Sequence, residues 1–291
     1  RLHCASILHF SKYVFIATLS SRTVHSLDKV IISQFVGPAG VGVYSIAQNL
    51  AQKLWLPVGS ITFAVLPAAS AVSDRARLGE LYLRSSKMVV AITLFPAFAL
   101  CLFRYEMLLY WLGPAFASAA DATLGILSAA CFLHALAHVP YVVAQAKGHP
   151  AITAAFAGVT AGLYLVLLVS LAQAFGIVGA AVSFLAVQTI VTPLFVYAVN
   201  RRLEISSTSL LRRAYLPAIA ASVATVCFSL MTKPLVSSLF SLLLVLALDA
   251  VFHLMICTLV VLDRSERRAF WVYFRAPSDL QRSRVPRYSR P

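Results

Sequence analysis

From Ser21 to Trp55 the chain reads SRTVHSLDKVIISQFVGPAGVGVYSIAQNLAQKLW. Apolar residues dominate on both sides of Gly37-Pro38-Ala39-Gly40, which predicts two membrane-spanning helices joined by a short turn. Charges lie well inside both: Arg22, Asp28 and Lys29 on the first, Lys53 on the second. An ionisable side chain at mid-bilayer costs roughly 2.5–3.5 kcal/mol, so four facing lipid would cost about 10 kcal/mol. They are therefore expected to face a wet cavity or one another. Arg22, His25, Lys29 and Ser33 share one face of the first helix, and Ser45, Asn49 and Lys53 share one face of the second. The competing reading of the first span, Ile7 to Phe35, is an amphipathic helix lying on the membrane surface.

Composition fixes the class. Of the 291 residues, 60% are hydrophobic and 12% charged, with mean hydropathy +0.85. A soluble domain has about 45–50% apolar and 25% charged residues. Repeated apolar runs of about 20 residues predict an all-α integral membrane protein with about eight transmembrane helices. The five cysteines show no CxxC or metal-type spacing, so neither a disulfide framework nor a metal site is indicated. The chain opens on Arg1 with no signal peptide ahead of the first span, and is expected to be a fragment of a longer protein.

After the opening pair, the second span is expected over about Val41 to Val72, kinked at Pro57 and Pro67. A charged loop follows from Asp74 through Lys87. A third span runs from Met88 to Phe103 and contains Pro96; the aromatic Tyr105–Trp111 segment is a candidate extension. The remaining spans are expected over Ala122–Ala146, Ala151–Leu171, Val178–Val199, Tyr215–Met231 and Leu239–Leu262. In the fifth, Ala154, Gly158 and Gly162 form a small-residue row suited to close helix approach. Lys and Arg collect on alternate loops: Arg75, Arg77, Arg84 and Lys87; then Lys147; then Arg201, Arg202, Arg212 and Arg213; then eight arginines in the tail. The intervening connections carry only Arg104 and Lys233. The positive-inside rule puts both termini in the cytoplasm. Anionic inner-leaflet lipid then accounts for the formal charge of +14 without nucleic acid. Phe270, Trp271, Tyr273 and Phe274, beside Arg267 and Arg268, have the composition of an interfacial anchor.

Counting 1.5 Å per residue from the nearer end of the turn Pro38–Gly40, Lys29 lies about 13 Å deep, Lys53 about 20 Å and Arg22 about 24 Å. The three can form a cationic ladder, with Arg22 gripping a phosphate bidentately and the lysines acting as point charges. Asp28 would neutralise Lys53 in the absence of substrate or take up a coupling proton. The bland alternative is a salt-bridge knot between two helices. Cys131, His134, His138, Tyr141 and Gln145 make one polar helix face; without the glutamate of HExxH it is a cavity wall rather than a metal site. Asp249 and His253, at i and i+4 in the last span, either bond each other or relay a proton. No catalytic set and no cofactor motif are present in the sequence.

The run Asp28-Lys-Val-Ile-Ile-Ser-Gln-Phe-Val-Gly37, then Gly40-Val-Gly-Val-Tyr44-Ser-Ile-Ala47, then Val65-Leu-Pro67, resembles polysaccharide flippases of the multidrug/oligosaccharidyl-lipid/polysaccharide exporter superfamily. The second half of those proteins opens on an Asp-basic-aliphatic run, a Gly and a vGxYxxA segment. Gly148-His-Pro-Ala151 and Phe175-Gly-Ile-Val-Gly-Ala180 resemble that family's later turns, so the likeness covers roughly residues 10 to 200. It implies a second six-helix transporter lobe (1–200), an additional two-helix hairpin (201–262) and a basic cytoplasmic tail (263–291), with a separate N-terminal lobe as partner. It implies translocation of a polyprenyl-diphosphate-linked oligosaccharide across the bacterial cytoplasmic (inner) membrane by alternating access, without enzyme chemistry. Arg22, Lys29, Lys53 and Asn49 would bind the substrate, and Asp28 and Asp249 would couple ions. The alternatives are a multidrug or peptidoglycan-precursor exporter of the same superfamily, and a membrane polysaccharide polymerase or glycosyltransferase. The latter would want a large outer loop bearing acids or arginines, and the outer connections here are short. A non-transporting scaffold would leave the intramembrane cations unexplained.

Overall fold

A computed structural model describes residues 2–261, with side-chain surroundings given for Phe15 and for residues 27–261. The expectations for the tail and for the side chain of Arg22 lie outside these described residues. Among them the chain is all helix: α1 (Leu2–Gln52), α2 (Trp55–Ala71), α3 (Arg75–Leu102), α4 (Arg104–Leu112), α5 (Pro114–Ala135), α6 (His138–Ala146), α7 (Pro150–Arg202), α8 (Ser207–Leu210), α9 (Leu216–Thr232) and α10 (Leu239–Val260).

Two of these helices are hairpins. As one rod, the 51 residues of α1 would run about 77 Å and set Asp28 about 30 Å from Gln48. Instead Gln48 Nε2 donates to Asp28 Oδ2 at 3.0 Å. The reversal occurs at Gly37 (φ 69°, ψ 177°), in a region of backbone space that glycine alone enters cheaply. Likewise the 53 residues of α7 fold back at Gly176 (φ 59°, ψ −136°). A Cβ placed on Gly179 would fall 1.9 Å from the carbonyl oxygen of Leu171. In a straight helix those residues stand about 12 Å apart. The two turns pack together: Val36 Cγ1 lies 3.2 Å from the position of a Cβ on Gly176. Folding both hairpins out gives eight limbs: 2–36, 38–71, 75–102, 114–146, 150–175, 177–202, 207–232 and 239–260. Their exposed apolar side chains, such as Phe63 (83%), Met231 (78%) and Phe240 (76%), suit lipid contact and not water.

Three local expectations are corrected. Residues 75–87, read as a charged loop, are the first turns of α3, because Asp74 caps the helix by accepting from the amides of Ala76 and Arg77. Leu78, Tyr82, Ser85 and Val89 bury one face of that extension, leaving Arg75, Arg77 and Arg84 exposed. The Tyr105–Trp111 segment does not lengthen the third span. It is the separate helix α4, stopped at Gly113 (φ 89°). Gly158 and Gly162 do not sit against another helix, since nothing lies within 4 Å of where their Cβ atoms would be.

Proline effects divide. Between α1 and α2 the helix slackens into i→i+3 bonds at Lys53 and Leu54, ahead of Pro57. The same occurs at Leu136 and Ala137 ahead of Pro140, which splits the expected fourth span into α5 and α6. Pro96 leaves α3 unbroken.

The main core joins both hairpins to α5 around Tyr44, Leu124, Leu127, Leu168 and Val187. The α9–α10 pair packs outside it, through Ala218, Ala221 and Cys257 against Val90 and Leu94 of α3. Arg104 and Lys233, on the sparsely charged side, are both tied down. Arg104 meets Asp121 at 2.9 Å and the Cys101 carbonyl at 2.7 Å. Lys233 meets Glu106 at 3.2 Å and the Leu102 carbonyl at 2.7 Å. Both cations thus serve the carbonyl end of α3, where positive charge is favoured.

Candidate functional site

A cavity of about 220 Å³ lies between the two hairpins and α5–α6. The first hairpin contributes Asp28 and Gln48, and α2 contributes Trp55. His134, His138 and Tyr141 come from the polar face of α5–α6; Phe156, Thr160, Phe184 and Gln188 come from both limbs of α7. Both proline-slackened joints border this space. Trp55 follows the first joint, and His138 follows the second.

Hydrogen bonds fix the orientation of the walls. Trp55 Nε1 donates to the Cys131 carbonyl at 2.9 Å, holding its ring 5.0 Å from that of His134 and 6.0 Å from that of His138. Gln188 Oε1 accepts from the Thr192 hydroxyl at 2.8 Å and from His134 Nδ1 at 3.1 Å. An amide oxygen only accepts, so His134 carries its proton on Nδ1. His138 Nδ1 lies 3.2 Å from the His134 carbonyl and therefore donates as well. Above them the hydroxyls of Tyr44 and Tyr164 meet at 3.4 Å across the two hairpins.

Two buried polar atoms of the lining have no partner: Gln188 Nε2 and Thr160 Oγ1. Gln188 is 0% exposed. A buried donor left unmade costs about 1–3 kcal/mol, so such atoms mark places where something polar belongs.

Of the residues singled out in the sequence, Asp28, wholly buried, lies in the cavity wall together with His134, His138 and Tyr141, whereas Cys131 and Gln145 of the same expected face do not line it. Asp28 does not neutralise Lys53. Its Oδ2 takes Gln48, and its Oδ1 takes the Lys29 amide at 2.6 Å. Lys29 is half-buried outside the lining, and Asn49 and Lys53 are exposed on the outer face of the second limb. Asp249 is far off in chain and packing, buried between α9 and α10. It bonds Thr232 Oγ1 at 3.2 Å and not His253, which turns to Thr225 (2.9 Å) and to the Ala91 carbonyl (3.0 Å). Asp249 Oδ2 has no partner. The sequence did not single out Gln48, Trp55, Phe156, Thr160 or Gln188. The one available signal was polarity, since Gln48, Thr160 and Gln188 stand inside apolar runs.

The family described as polysaccharide biosynthesis protein matches residues 1–121. A protein of Shigella flexneri named "Putative O-antigen transporter" is 26% identical over 178 residues. That match takes in 61% of this chain and 43% of the relative, so the matched part spans less than half of the relative's length. No solved structure matches significantly. The likeness is to proteins of the polysaccharide and O-antigen flippase type, as the motifs between Asp28 and Pro67 imply.

Proposed function

We propose that this chain forms one lobe of a flippase that carries a polyprenyl-diphosphate-linked oligosaccharide across the bacterial cytoplasmic membrane by alternating access. One observation carries the reading: Lys53 is exposed at the joint between α1 and α2, about 20 Å along the second limb from Gly40. A lysine there cannot face hydrocarbon without a cost of roughly 2.5–3.5 kcal/mol. It therefore faces a wet passage closed by a partner lobe, and Asn49 one turn earlier shares that passage. A passage edged by Lys53 and Lys29 favours an anionic head group and disfavours cationic drugs. The helix ends bearing Arg75, Arg201 and Arg212 face the cytoplasm, where anionic lipid is their partner, and both termini lie on that side. The protein moves its substrate without making or breaking a covalent bond.

Deletion of the complete gene tests this. The expected result is loss of surface glycan together with accumulation of lipid-linked oligosaccharide on the inner leaflet. Unchanged surface glycan, or loss of glycan with no accumulated lipid-linked precursor, would overturn the reading.

A further inference from the structure

The passage edged by Lys53 and the internal cavity are different places with different chemistry. The passage is cationic; among the described residues the cavity is lined by one carboxylate, two imidazoles, amides, hydroxyls and aromatic faces. We infer that the cavity is a subsite for a single sugar ring of the glycan. This rests on the flippase reading for its biological meaning, but on the cavity's own atoms for its chemistry.

Four observations lead there. Gln188 Nε2 offers an unused N–H donor and Thr160 an unused hydroxyl that both donates and accepts. A ligand that accepts from the amide and exchanges a hydrogen bond with the hydroxyl satisfies this pair, which is the chemistry of ring hydroxyls. Flat apolar faces from Trp55, Phe156 and Phe184 complement the C–H faces of a pyranose. An amide N–H cannot coordinate a cation, and the Gln188 oxygen that could is already taken by Thr192 and His134. Last, 220 Å³ falls below the roughly 300–1,000 Å³ of drug-sized sites, which suits one ring and not a chain of them. Ala157 and Ala161 line the cavity beside Thr160, on the limb whose Gly158 and Gly162 are open to the surface. A ring can enter past these small side chains.

The test is saturation-transfer NMR on the full chain in detergent micelles with five free sugars: glucose, galactose, mannose, rhamnose and N-acetylglucosamine. At least one should receive magnetisation in the native protein. Thr160→Val removes a hydroxyl at constant shape, and Gln188→Leu removes the amide; each should weaken binding by about 5- to 10-fold, as for loss of a neutral hydrogen bond. Proteins that elute as the native one does in gel filtration count. No transfer to any of the five sugars, or transfer undiminished in both variants, overturns the inference. Transfer only to tetramethylammonium, used as a cation control, also overturns it. The two readings fail separately. Normal glycan export by a full-length Thr160→Val, Gln188→Leu protein removes the subsite and leaves the flippase, whereas sugar binding with no export defect on gene deletion removes the flippase alone.

Discussion

Gln48 Nε2 donates to Asp28 Oδ2 across 3.0 Å, although twenty residues and the reversal at Gly37 separate them in the chain. This bond ties the two limbs of the first hairpin at the edge of the cavity. Hydrogen bonds to charged groups contribute about 1.5–3 kcal/mol, and both partners here are buried. Gln48→Leu is therefore expected to lower stability in detergent by about that amount, read as a drop in thermal midpoint by tryptophan fluorescence. Asp28→Asn, which keeps an acceptor oxygen, should cost less than Asp28→Leu. Equal midpoints for Gln48→Leu and the native protein would mean the bond contributes nothing.

The turn of the second hairpin makes a sharper demand. Gly179→Ala would drive a Cβ into the Leu171 carbonyl, which is backbone and cannot step aside. Loss of folded protein in the membrane is expected, seen by gel filtration of a fluorescent fusion. Gly158→Ala and Gly162→Ala, where nothing lies within 4 Å, should leave abundance unchanged. Normal abundance of Gly179→Ala would show that the limbs do not approach as described.

Topology is open to direct labelling. Ala39, beside the first turn, and Ser206, after α7, are both exposed. Single cysteines there, in a version lacking native cysteines, should react with a membrane-impermeant thiol reagent from opposite sides, Ala39 from outside. Reaction of both from the same side would break the eight-limb arrangement.

The joints ahead of Pro57 and Pro140 flank the cavity, so bending there would change its shape. Pro57→Ala and Pro140→Ala are expected to slow glycan export at unchanged abundance, because a restored i→i+4 bond stiffens each joint. Pro96→Ala should have a smaller effect, since α3 runs through unbroken. Equal export rates in all three variants would remove the joints from the mechanism.

Much of the fold was legible because membrane spans advertise themselves: hydropathy marked the limbs, and alternating Lys and Arg marked the loops. The glycine turns at Gly37 and Gly176 fell where the sequence placed breaks. Helix ends were harder. Arg75 to Lys87 looked like a loop because its charges mask the buried face of Leu78, Tyr82 and Val89. The split before Pro140 hid inside one apolar run. The site was read only in part. Asp28, His134 and His138 stood out as ionisable groups in hydrocarbon, and helical spacing put the histidines on one face. Lys53 stood out for the same reason, yet the second limb turns it outward while Gln48 turns in. Only the pairing of limbs decides which face of a helix meets the cavity, and Gln188 joined the cavity through a hairpin fold 54 residues away from His134 in sequence.

The cations of the first hairpin bear the central claim. If Arg22, Lys29 and Lys53 hold a diphosphate in the passage, removing one loses a charge-assisted contact worth about 1.5–3 kcal/mol, or roughly 10- to 150-fold in affinity. Arg22→Lys should also impair function, since an ammonium does not reproduce the planar fork of a guanidinium. The decisive measurement is surface glycan in cells whose only copy of the complete transporter carries Lys53→Ala or Arg22→Ala, with membrane abundance followed in the same cultures. The account requires strongly reduced glycan at normal abundance in both. Normal glycan at normal abundance would contradict it.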